Sequence, residues 1–164
     1  MRSYWNRIIA VQVTKWIILA MAAGLAFFWG CRGNGKDAAA IMQKGVESFQ
    51  AGHYAAAESA YRRVIALEPE NAAAYNLLGM ACRFRYNKSG DPVMRRRETE
   101  AFRRAVALNP RFLAAVKNLA ATLYRDGDME GAAGMARRAL EINPDDPEKE
   151  VLTAWVLQAQ SDEE

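Results

Sequence analysis

Histidine and cysteine are nearly absent from this chain of 164 residues: His53 is the one histidine, and Cys31 and Cys82 are the two cysteines. A nucleophilic triad needs a histidine oriented by a carboxylate, and a zinc site needs several nitrogen or sulfur ligands at set spacing. His53 has neither a second histidine nor an acidic cluster near it in sequence, so no catalytic residue, metal site or cofactor is expected. A phosphate-cradling loop is missing too. Arg32-Gly33-Asn34-Gly35-Lys36 lacks the spacing and the preceding strand of such a loop and reads as a flexible tether. Glu68, Glu70, Asp145 and Asp146 fall at helix ends and connections, where capping and solvation account for carboxylates. The chain is therefore read as a binding protein and not as an enzyme.

An excess of one charge is lacking in the body of the chain. Of 22 basic and 19 acidic residues, Arg2, Arg7 and Lys15 supply the whole surplus, which leaves 19 of each sign from Arg32 onward. A neutral body argues against a general nucleic-acid partner. Glycine and proline are scarce outside turns, and no β-type alternation appears, so an all-α fold follows.

What is present is a phrase stated three times. Tyr61-Arg62-Arg63-Val64 leads to Pro69, Phe102-Arg103-Arg104-Ala105 to Pro110, and Ala136-Arg137-Arg138-Ala139 to Pro144. The first two prolines are 41 residues apart and the second two 34. A period in this range signals a helical solenoid whose units bury their apolar faces against one another. Each proline ends a second helix, because it lacks an amide hydrogen and clashes with the preceding turn. Gly45, Ala57, Gly79, Ala120 and Ala132 let paired helices approach closely, while Tyr61 and Phe102 fill the gap toward the next unit. Gly52 and Gly127 suit turns that need positive φ. Cys82 matches Leu123 in register and reads as a small buried hydrophobe.

These spaced residues resemble the tetratricopeptide repeat over residues 38–146, about two thirds of the chain. The resemblance implies a short solenoid of three helix-turn-helix units, 38–71, 72–112 and 113–146. The second unit carries seven extra residues between its helices. Asp146-Pro147 opens a further helix over 147–160, whose Val151, Leu152, Trp155 and Val156 would cap the stack, and 161–164 is an acidic tail.

Ahead of the repeats, residues 1–30 have the layout of a secretory signal or membrane anchor. Basic residues precede an uncharged run from Trp16 to Trp29. Gly30-Cys31 then resembles a bacterial lipoprotein signal, which implies that Cys31 is diacylated and that 31–37 is the tether. Phe28 and Trp29 depart from that signal, and an uncleaved anchor or a plain cleaved signal are the alternatives. Each places the repeats across the membrane, facing the periplasm.

Helical phase and the family resemblance together assign a concave groove to the first helix of each unit. It would present Ala39, Met42, Val46 and Phe49, then Ala73, Asn76, Met80 and Arg83, then Ala114, Lys117, Ala121 and Tyr124. Such a surface suits a partner protein's amphipathic helix or extended peptide. Partial filling by the tether or the carboxy-terminal helix is the alternative. Met42 and Val46 stand where chaperone-tail-binding repeats present lysine and asparagine, which makes an Hsp70 or Hsp90 tail a poor candidate.

The insertion adds a basic corner. Residues 81–104 carry eight basic and three acidic side chains, against one and eight in 141–164. Arg95, Arg96 and Arg97 would contact anionic lipid or an acidic partner, unless they pair with Glu98, Glu100 or the acidic tail. The expected function is thus a membrane-tethered adaptor for protein–protein interaction in the bacterial cell envelope. Its layout is similar to small repeat lipoproteins that assist secretin assembly or cell-wall enzymes. An accessory regulator of a cell-wall or secretion/pilus-assembly component, and a lipoprotein that self-assembles as a homodimer through Trp155 and the end helix, are the alternatives.

Overall fold

The computed structural model describes residue 35 and residues 37–161. The expected leader, Cys31 and the last three residues lie outside the described residues. Seven helices run through the described residues: α1 over 37–50, α2 Tyr54–Leu67, α3 Ala72–Ser89, α4 Pro92–Leu108, α5 Leu113–Arg125, α6 Met129–Ile142 and α7 Lys149–Ser161. None of the described helices is long and apolar enough to cross a membrane. Consecutive helices pack as hairpins, and α3 also touches α5, so the first helices of successive pairs lie side by side.

The three prolines act through the residue before them. Proline Cδ excludes that residue from the helical region. Glu68, Asn109 and Asn143 accordingly have ψ of 78°, 92° and 95°, and the helices end at Leu67, Leu108 and Ile142. The starts of α3, α4 and α6 are fixed by side-chain caps. Asn71 accepts from the Ala74 amide at 2.9 Å, Asp91 from Val93 at 2.8 Å and Asp128 from Gly131 at 2.8 Å. Pro92 follows Asp91 at the first helical position. Gly90, with φ of 68°, ends α3 in the left-handed region beside the two turn glycines expected, Gly52 and Gly127.

Each hairpin closes on one volume match. A Cβ built on Gly45 would lie 2.6 Å from Tyr61 Cε1, and one on Gly79 would lie 2.6 Å from Phe102 Cε1. The ring of the second helix therefore occupies the space left by the glycine of its own first helix, a use additional to the expected filling between units. In the third hairpin the register-equivalent positions are Ala120 and Ala136, both fully buried. Glycine faces a ring and alanine faces alanine, which conserves volume in a close-packed interior.

The insertion lengthens α3 to 18 residues and α4 to 17, against 13 or 14 in α2, α5 and α6. The end helix begins at Lys149, two residues later than expected. Asp146 precedes it and accepts from the Glu148 amide at 2.8 Å. Leu152 is buried against the core that holds Val116, Leu119 and Ala139, with Trp155 and Val156 packed beside it.

Candidate functional groove

The expected groove residues divide into those that pack and those that face a cleft. Met42, Val46 and Phe49 are half-buried against the first core, around Tyr61, Leu78 and Cys82. Met80 packs on the second core, around Phe102 and Val116. Asn76 is buried, and its Oδ1 accepts from Asn118 Nδ2 at 3.0 Å, so it is spent on joining α3 to α5. Tyr124 stacks on Trp155 with centroids 5.0 Å apart, and its hydroxyl donates to Gln158 at 3.2 Å. The end helix thus takes the groove's last aromatic.

Arg83, Lys117 and Ala121 do come together, in a cleft of about 670 Å³ that Phe112, Leu113, Ala114, Asn118 and Glu148 complete. Asn118 and Leu113 follow the helical spacing of Ala114 and Ala121 but were not anticipated from the sequence. Glu148 was not either, because it arrives from outside the repeats.

Both cations of this cleft are already neutralised. Arg83 donates from Nε to Glu98 Oε1 at 2.7 Å, from Nη1 to Asn118 Oδ1 at 3.1 Å and from Nη2 to Thr122 Oγ1 at 2.9 Å. Its guanidinium also lies 4.9 Å from the centroid of Phe102. Burial lowers its pKa, with the Glu98 hydrogen bond opposing, and a guanidinium keeps its proton in such a site. Glu98 is fully buried and draws a second guanidinium, Arg125, to Oε1 at 2.6 Å. Its Oε2 faces Arg95 Nη1 at 3.5 Å, an ion-pair distance without hydrogen-bond geometry.

Lys117 pairs with Asp146 at 2.7 Å and Glu148 at 3.0 Å. Burial pulls Lys117 down, but its hydrogen bonds to both carboxylates outweigh it and the net shift is upward. The hydrogen bond from Lys117, then that from the Glu148 amide, hold the Asp146 carboxyl below its usual range. The Asp146 contribution to docking α7 is therefore complete above the pKa of a free aspartate, about 4, and falls away as pH drops through the lower folded value. That of Lys117 is complete below about 10.4 and is lost as pH rises through its higher folded value. Asp146→Asn at neutral pH is expected to reproduce the acid limb, with lower amide-exchange protection in α7 and little change in α3. Unchanged protection would remove this pair from the account of how α7 is held.

The three arginines of the basic corner separate. Arg95 turns inward, with its side chain 16% exposed, and bonds Asp126 Oδ1 at 2.5 Å. It is thus not available as a partner contact. Arg97 reaches Glu58 at 3.4 Å, and Arg96 is exposed without an ion-pair partner among the described residues. Glu98 is one of the pairing partners anticipated for this corner, whereas Glu58 and Asp126 become neighbours only through packing of the helices.

Cys82 is fully buried, and burial first, then the nearby Glu58, push its thiol up to about 11. Thiolate is the reactive form. Alkylation of Cys82 near neutral pH is expected to be negligible in the folded protein and complete in urea, as read by peptide mass mapping. Rapid native labelling would contradict its placement.

Comparison with known proteins agrees with this geometry. The family model described as tetratricopeptide repeat matches residues 42–83 and 100–147, more than half of the chain. No curated protein matches it in sequence. Among solved structures, the first TPR of Spaghetti (RPAP3) bound to the HSP90 peptide SRMEEVD is 22% identical, with a TM-score of 0.66, over 77% of this chain and 94% of that one. The TPR domain of Arabidopsis OM64 is 16% identical, with a TM-score of 0.66, over 77% and 99%. The Yersinia enterocolitica type III secretion chaperone SycD, in complex with a peptide of the translocator YopD, is 13% identical, with a TM-score of 0.62, over 76% and 92%. At these identities the likeness is one of fold. With the family model, the repeated proline-ended hairpins and the glycine–ring joints in agreement, this chain belongs to the tetratricopeptide repeat family.

Proposed function

We propose that this protein is an adaptor of the bacterial cell envelope that holds a peptide or helix of a partner protein in its concave cleft. A membrane tether at its amino-terminal end, with Cys31 as the lipid-bearing residue, completes the proposal. It acts as a scaffold and not as a catalyst. The cleft of about 670 Å³ bounded by α5, Arg83 and Glu148 carries this reading. Solved relatives of the same fold hold peptides, which supports a peptide as the occupant. Phe112, Leu113, Ala114 and Ala121 give the cleft an apolar lining, and its cations already have carboxylate partners. An apolar segment therefore suits it better than an acidic carboxy-terminal tail, which would have to displace Glu98 or Asp146 from their partners.

The test is site-specific photo-crosslinking in native membranes from Ala114, which is exposed at the cleft. The expected result is one discrete partner, captured from Ala114 and lost when Ala121→Trp fills the cleft. Capture that survives Ala121→Trp would overturn groove recognition. Self-assembly is favoured as a second reading by Val151 and Leu157, which are 48% and 59% exposed on α7. A monomeric mass across a concentration series would exclude it.

A further inference from the structure

The geometry points to a second binding site, between α2 and α4, for a phosphate ester that carries an apolar body. A cleft of about 440 Å³ opens there. Arg62, Arg97, Arg104 and Glu100 form its rim, and Ile65, Leu78 and Tyr75 line it below. A charged rim over an apolar floor matches an amphiphile, not a bare ion.

The rim has more cations than its carboxylates can neutralise. Glu58, which is buried, takes Arg62 Nη2 at 2.8 Å and Arg97 Nη1 at 3.4 Å on one oxygen and Arg85 on the other. One carboxylate thus serves three guanidinium groups. Arg104 has no ion-pair partner among the described residues and lies 5.9 Å from the centroid of Tyr75. Glu58 and Glu100 thus set two negative charges against the three of Arg62, Arg97 and Arg104, and Glu58 is shared with Arg85 from outside the cleft. An added anionic group would balance the rim, and guanidinium forks match phosphate oxygens in pairs.

The chain contains its own control. At the next junction, between α4 and α6, the register-equivalent residues of Tyr75, Arg97 and Ala101 are Val116, Gly131 and Met135. Met135 packs against the core there, where Ala101 leaves room at the first junction. The arginine pair recurs in all three repeats, but the third arginine, the aromatic wall and the open floor occur together only between α2 and α4.

The ligand chemistry has two sources, a lipid headgroup in a bilayer or a soluble phosphate ester, and one experiment separates them. The full-length chain is reconstituted in phosphatidylcholine nanodiscs, and arginine modification by phenylglyoxal is mapped by mass spectrometry. Hexyl phosphate is expected to slow modification of Arg62, Arg97 and Arg104 about fivefold near saturation, as mass action requires, while Arg137 changes less than about twofold. Inorganic phosphate at the same concentration should protect far less. Protection by phosphatidylglycerol in the disc, with no ester added, assigns the source to the bilayer, and protection by hexyl phosphate alone assigns it to a soluble ester. Equal modification in every arm overturns the site, as does inorganic phosphate matching hexyl phosphate, or slowing that extends to Arg137. None of these outcomes bears on the concave cleft, so the two proposals fail separately.

Discussion

Phe102→Ala is expected to lower stability by about 3–5 kcal/mol, among the largest single effects available to this fold. The Phe102 ring is fully buried and fills the space that Gly79 leaves in α3, with the Arg83 guanidinium over its face. Truncation opens a cavity where the first helix of the repeat cannot collapse, because Arg83 is pinned to Glu98 and Asn118. It also strips the apolar side from a buried cation. Gly79→Ala should destabilise by the opposite route, since its Cβ would meet the ring at 2.6 Å. Overpacking of this kind costs about 1–3 kcal/mol. Combining Gly79→Ala with Phe102→Leu should recover part of the Gly79→Ala loss. Urea titration followed by far-ultraviolet circular dichroism measures all three. A Phe102→Ala loss below about 1 kcal/mol would remove the glycine–ring joint from the stability account.

The second large effect is electrostatic. Glu98→Ala should cost about 3–5 kcal/mol, because removing one partner leaves the other buried charge uncompensated. Three guanidinium groups converge on this carboxylate, and they do not suffer equally. Arg125 is 36% exposed and can return to water, and Arg95 keeps Asp126, whereas Arg83, 18% exposed, is left without a carboxylate. The double replacement Glu98→Leu with Arg83→Met should lie closer to wild type than Glu98→Ala alone. Paired removal of a buried ion pair is often neutral when apolar groups of similar volume take its place. Amide exchange should place the Glu98→Ala loss in α3, α4 and α5, since coupling in a repeat stack passes chiefly between neighbours. A loss of less than about 1 kcal/mol, or one spread evenly to α1, would mean that the network does not join the second and third hairpins.

These two residues also mark what was legible in advance. Phe102 could be read from the repeated phrase as a ring packed toward the next unit, whereas its fit into the space left by Gly79 in its own hairpin came from the structure. Glu98 was anticipated only as a pairing partner for the basic corner, where it stands among arginines in a charged run. Helical phase sets Glu98 on the face of Met94 and Phe102 and Glu100 off it, but the run alone does not show that a carboxylate there is buried. That burial arises from α5, whose Thr122 and Arg125 close over one side of α4. Asn76, Tyr124 and Arg95 illustrate the same limit. Helical phase puts each on a usable face, but Asn118, Trp155 and Asp126 occupy those faces once the helices pack.

The amino-acid sequence by itself determined the all-helical class, the three hairpins, their ends and the family, because those depend on short-range chemistry repeated in register. Proline ends each second helix, glycine admits positive φ, and small residues in register let paired helices approach closely. Only the tertiary structure decided which charges are free. Apart from the local pairs Arg62–Glu58 and Arg95–Glu98, ion pairing depends on partners 15 to 39 residues away, such as Glu98 for Arg83 and Glu58 for Arg97. A linear pattern carries no information about which guanidinium reaches a carboxylate first. The cleft along α5 is consequently neutralised from within, and the cleft between α2 and α4 retains its positive charge.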